Sequence, residues 1–172
     1  MELTNFNSVT LLKEKIMKTI AIGLDTEKTT HLAAKLNELL ANYQVFYINV
    51  RGFHWNITGE KFFELHAKFE ELYNDALLKV DEIAERVRTL EQTPIHSFTG
   101  FLKHSTIEET TGISDGREAA EEIISALKVL VSKEREILKL AEDAGDEGTL
   151  ALMSDYIREQ EKLLWMYSAY LK

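Results

Sequence analysis

Two histidines and three carboxylates between Phe53 and Leu90, in the run FHWNITGEKFFELHAKFEELYNDALLKVDEIAERVRTL, are the residues best placed to do chemistry: His54, His66, Glu70, Asp81 and Glu85. Imidazole nitrogen combined with carboxylate oxygen is the donor set of a hard-to-borderline metal such as iron. The 172-residue chain has no cysteine, so disulfides, thiolate sites and cysteine nucleophiles are excluded. Any metal must be held by nitrogen and oxygen, and the absence of cysteine agrees with a reducing, cytoplasmic setting.

These side chains need elements that position them, and the composition points to helices. Apolar residues make up 45% of the chain, with eight glycines and one proline, Pro94, which predicts one all-α domain of long helices and short connections. No run is long enough to cross a membrane as a helix. From the cap residues Asp25 and Thr26, apolar positions recur every three or four residues to about Trp55, giving a first helix. Asn56 to Gly59 is a turn signal, and Glu60 opens a second helix that runs to about Leu90. Pro94 breaks the pattern. The segment from Gln92 to Asp115 is a crossover in which SFTGFLKH forms a short extra helix. Ser114 or Asp115 caps a third long helix to about Ala144, and a fourth runs from about Glu147 to Leu171. Four long helices with one long middle connection describe a ferritin-like bundle over residues 25–172, preceded by an N-terminal arm of residues 1–24. The lysines and apolar residues of the arm are interrupted by Glu2 and Glu14 and meet no small-residue cleavage site, so it does not read as a signal peptide; Met17 is an alternative start.

Helix geometry then decides how the five ligand candidates can meet. Relative to His66, Glu70 lies about 40° round the second helix, and Asp81 and Glu85 about 60° and 100° round in the same sense. All four share one flank. His66 and Asp81 are nevertheless fifteen residues apart in the sequence, which is about 22 Å along a helix axis. One chain therefore carries two half-sites. Two copies of this helix packed antiparallel about a two-fold axis near Asn74 to Leu77 would set His66 and Glu70 of one chain opposite Asp81 and Glu85 of the other, making two equivalent sites. His54 lies just before the hairpin turn and His66 just after it, so the hairpin can bring them level.

The run FHWNITGEKFFELHAKFEELY followed by VDEIAER closely resembles the Dps family of mini-ferritins, through its HW, the LH twelve residues on, and the D-x-x-x-E within D-x-I-A-E-R. The likeness extends over most of residues 26–172, including KLLW at Lys162 to Trp165. It implies a four-helix subunit in a hollow dodecamer, with an iron ferroxidase centre, mono- or di-iron, shared across each two-fold interface. By that resemblance His54 and His66 match the two histidine ligands, and Asp81 and Glu85 match the carboxylates of the neighbouring chain. Glu70 stands where many members carry aspartate. Fe(II) and hydrogen peroxide or dioxygen would be the substrates, and ferric mineral the stored product. The acidic cluster Glu142, Asp143, Asp146 and Glu147 corresponds to a region that lines iron-entry pores, with Asp146 and Glu147 the better candidates.

Each residue also has a structural reading. A lone bundle histidine is more often packed and hydrogen-bonded than metal-bound; the joint spacing argues otherwise for His54 and His66, whereas His31, His96 and His104 read as surface or loop residues. Asp81 and Glu85 could pair with Arg86 or Arg88 at an interface, and the acidic cluster could be an exposed loop. Trp55 reads mainly as core packing, although the family places it near the iron centre, where radicals could oxidise it. No histidine has a glutamate three residues before it, which disfavours an ordinary di-iron centre inside one bundle. The alternative function is that of a DNA-binding, nucleoid-structuring protein with little turnover. Some family members compact DNA through lysine-rich tails, but here Lys13, Lys15 and Lys18 face Glu2 and Glu14 on a chain of net charge −9, so DNA binding is expected to be weak or absent.

Overall fold

A computed structural model describes residues 18–172. Five helices follow in order: α1 Thr26–Asn56, α2 Phe62–Thr89, α3 Phe98–His104, α4 Gly116–Ala144 and α5 Glu147–Tyr170. Among the described residues the only β pairing is an isolated bridge between Thr19 and Asp25. α1 packs on α2 and α4, α4 packs on α5, and α3 lies against α1. The all-α, ferritin-like bundle with a short helix in the crossover is thus the fold, and each boundary has a local cause.

α1 begins where the Asp25 carboxylate accepts the Lys28 N–H at 2.9 Å, and α4 where the Asp115 carboxylate accepts from Arg117 and Glu118. These caps satisfy donors that the first helical turn leaves without partners. α4 ends at Gly145, whose φ of +68° is the left-handed conformation that favours glycine at a helix C-terminus. α2 starts at Phe62, two residues later than the sequence suggests, because no side chain caps it and Gly59 at φ +97° completes the turn first. Within residues 18–24 of the expected arm, Ile20 joins the core and the Ala21 N–H donates to Glu91. Residues 1–17 of the expected arm, including Met17, lie outside the described residues.

The core is largely apolar, with Leu32, Leu36, Leu39, Phe46, Phe69, Ile83, Ile123 and Leu127 all fully buried. The crossover is tied along the flank of α1 by three asparagines. Asn37 bonds Thr93 and Ile95, the buried Asn42 accepts from the N–H groups of Thr106 and Ile107, and Asn49 bonds Glu108 and Thr110. An amide side chain both donates and accepts, so it can satisfy strands of irregular backbone that have no ladder of their own.

Candidate metal centre

The hairpin of α1 and α2 sets the His54 and His66 rings face to face, with centroids 3.7 Å apart and planes 22° from parallel. Each ring donates Nδ1–H to the backbone carbonyl of the other's residue: His54 to the His66 oxygen at 2.8 Å, His66 to the His54 oxygen at 2.9 Å. A carbonyl accepts only, so this reciprocal pair holds both imidazoles in the tautomer with the proton on Nδ1. The bare lone pair of each ring is then on Nε2, the nitrogen left to coordinate a metal, and the carbonyls fix ring orientation as outer-shell partners do.

Aromatic and cationic groups wall the pair. Phe62 stacks on His66 with centroids 5.1 Å apart, and Tyr73 stands edge-on to His54 at 5.2 Å. The Arg51 guanidinium lies over Tyr47, Trp55 and Tyr73, 4.8 Å from the Trp55 ring, and donates to the Tyr47 hydroxyl at 2.7 Å. Arg51 and Tyr73 were not singled out from the sequence. Their signal was present as helical spacing, three residues before His54 and seven after His66, but arginines and tyrosines at such spacing are common on any bundle. Trp55 is not core packing in the single chain, where it is 59% exposed. It follows the buried Phe53 and His54, and the next position on a helix turns about 100° away from the face they occupy.

Glu70, Asp81 and Glu85 are exposed on α2. Among the described residues no three histidine or carboxylate side chains gather into a group that could hold a metal within one chain. The structure therefore brings His54 and His66 together and leaves Glu70 outside that pair, with Asp81 and Glu85 further along the same helix.

The acidic cluster divides. Asp146 is 2% exposed and is the N-cap of α5, where it accepts from the Thr149 backbone and hydroxyl and pairs with Arg86. Burial pushes its carboxyl up, but the bonds from Arg86 and Thr149 outweigh that and leave its pKa lowered. Asp146 is thus engaged within the chain as the cap of α5 and the partner of Arg86, roles its sequence neighbourhood does not announce. Glu142, Asp143 and Glu147 are exposed around it.

Comparison with known proteins agrees with this architecture. The ferritin-like domain family matches residues 33–172. The DNA protection during starvation protein of Porphyromonas gingivalis is 40% identical over 148 residues, which cover 86% of this chain and 93% of that one. The crystal structure of the DPS protein from Vibrio cholerae O1, described as a member of a broad superfamily of ferritin-like diiron-carboxylate proteins, superposes with a TM-score of 0.89 at 58% identity, covering 91% of this chain and 98% of that one. A Dps protein from Bacillus brevis superposes with a TM-score of 0.83 at 33% identity over 91% of this chain and the whole of that one. With its bundle, its paired histidines and these relatives, the chain belongs to the ferritin-like family and, within it, to the Dps proteins.

Proposed function

We propose that the protein is a cytoplasmic ferroxidase and iron store whose reaction site is completed by two copies of α2. The observation that carries this reading is the reciprocal His54–His66 bonding, which leaves two oriented Nε2 donors side by side. Fe(II), the substrate, binds these nitrogens and Glu70, with Asp81 and Glu85 supplied by the second chain across a two-fold axis. Carboxylate oxygen favours the harder ferric ion, which eases loss of an electron. Two Fe(II) ions give up one electron each, and one hydrogen peroxide with two protons becomes two waters; dioxygen is the alternative acceptor. The ferric product collects inside a dodecameric shell, with Glu142, Asp143 and Glu147 as surface acids on the iron's approach. The reaction consumes ferrous iron and peroxide together, which protects the cell against oxidative damage.

Supporting the inter-subunit arrangement, α2 carries exposed Leu77 and Leu78, 47% and 66% exposed, beside the expected two-fold position. Apolar residues of that size on a helix face are stabilised by burial against a second copy. DNA is a weak partner at most for a body of net charge −9. Stopped-flow absorbance of Fe(II) oxidation with peroxide and with dioxygen tests the proposal. Acceleration by the protein that is lost in His54→Ala plus Asp81→Ala is expected. No acceleration, or a rate unaffected by both substitutions, overturns it.

A further inference from the structure

Away from the histidine pair, the middle of the bundle holds polar groups that the iron chemistry does not use. The Gln160 amide donates to the Tyr43 hydroxyl at 2.7 Å, and that hydroxyl donates to Glu134 Oε1 at 2.6 Å. All three residues are fully or almost fully buried, Tyr43 and Glu134 at 0% exposure and Gln160 at 1%. Among the described residues, two buried side-chain oxygens have no hydrogen-bond partner, Glu134 Oε2 and Gln160 Oε1. A buried carboxylate and a buried amide oxygen that both lack donors are costly, since each has given up water without replacement. The core lacks one thing at this spot, a donor, and it has two acceptors waiting for it.

We infer that this cluster is a proton-binding site: Glu134 is a neutral carboxylic acid in the folded bundle, and the proton on Oε2 supplies the missing donor, linking α4 to Gln160 of α5 as Tyr43 already links both to α1. The donor then runs round the ring, amide to phenol, phenol to carboxyl, carboxyl to amide oxygen, with no orphan left.

The groups facing Glu134 from each packed element are consistent with a site that takes up a proton near neutrality. Burial is the largest influence and raises the carboxyl; the Tyr43 bond, Lys79 of α2 and Arg135 of α4 lower it, and Glu159 of α5 raises it, with the outcome about 7. Lys79 is itself engaged by Asp75 at 2.6 Å and Glu159 at 2.7 Å, and its ammonium lies over the Tyr156 ring rather than on Glu134. The Tyr156 hydroxyl is turned outward to Glu82. Burial likewise pushes the Tyr43 phenol well up, so it stays a donor throughout. The sign follows from linkage. A carboxyl raised in the folded state contributes stability below its unfolded value, and that contribution is lost as pH rises through about 7.

The test compares the assembled wild-type protein with Glu134→Gln, whose amide has the shape of the protonated acid and a fixed donor. Thermal unfolding is followed at intervals between about pH 4 and 8.5, a window that brackets the ordinary and raised carboxyl values. The variant is expected to melt with the wild type at the acid end and above it at the alkaline end, the gap opening as pH rises from the ordinary carboxyl value and levelling off above about 7. Infrared difference spectra between the same limits are expected to show a buried protonated-carboxyl band in the wild type that disappears on raising the pH and is missing from the variant. A gap that does not change with pH, or a wild-type spectrum without that band at the acid end, overturns the proposal. Should Glu134→Gln not assemble, the wild-type spectrum decides alone: a titrating band upholds the site and its absence refutes it.

Discussion

A shared site makes a quantitative demand that an intrachain site does not. Take one variant that lacks the nitrogen half, His54→Ala with His66→Ala, and another that lacks the oxygen half, Asp81→Ala with Glu85→Ala. Each assembles without an intact site. His66 and Asp81 are fifteen residues apart on one continuous helix, α2, so their separation is about 22 Å and no side-chain rearrangement brings them into one coordination sphere. When the two variants are co-expressed or reassembled from equal amounts, random pairing makes half of the two-fold dimers mixed. Each mixed dimer has one complete site, with histidines from one chain and carboxylates from the other, and one site lacking both halves. About a quarter of all sites are thus restored, and the initial rate of Fe(II) oxidation should recover to about a quarter of wild type. The assay is stopped-flow absorbance on the mixture beside each variant alone, with native mass spectrometry to count mixed dimers. A mixture no more active than its parents, although mixed dimers are present, would refute the two-fold arrangement.

Other consequences are structural. Replacing Asn42 with Ala strips the acceptor from the Thr106 and Ile107 N–H groups and should cost about 1–3 kcal/mol in urea unfolding, with the crossover segment 105–110 gaining hydrogen exchange first. Arg86→Ala leaves the Asp146 carboxylate buried without its cation and should cost about 3–5 kcal/mol in the same assay. Because Asp146 is lowered from 3.8, its contribution is present above that value and lost as pH falls through the lower folded one, so Arg86→Ala should flatten the acid limb of a stability–pH profile. At Gly116 an added Cβ would collide with Leu65 Cδ1 and approach the Tyr170 hydroxyl at 3.2 Å; Gly116→Ala should lower the thermal midpoint, corresponding to about 1–3 kcal/mol of overpacking.

Much of this protein is written in local rules. Helix starts at Asp25 and Asp115, the stop at Gly145 and the short helix after Pro94 depend on capping and periodicity within a few residues, so the sequence alone places them within about two positions. The spacing of His66, Asp81 and Glu85 likewise determines that the histidine and the two later carboxylates cannot meet within one chain, because rise per residue is a property of any α-helix. What depends on packing was not legible. Nothing near Asp146 in the chain announces that Arg86, sixty residues away, claims its carboxylate. The tautomer of the two histidines is decided by carbonyls that become neighbours only when α1 and α2 close as a hairpin. The same holds for Glu134, which among 29 acidic residues has no distinguishing neighbour in sequence. Its character comes from Tyr43 and Gln160, contributed by other helices, and from burial that makes the missing donor count.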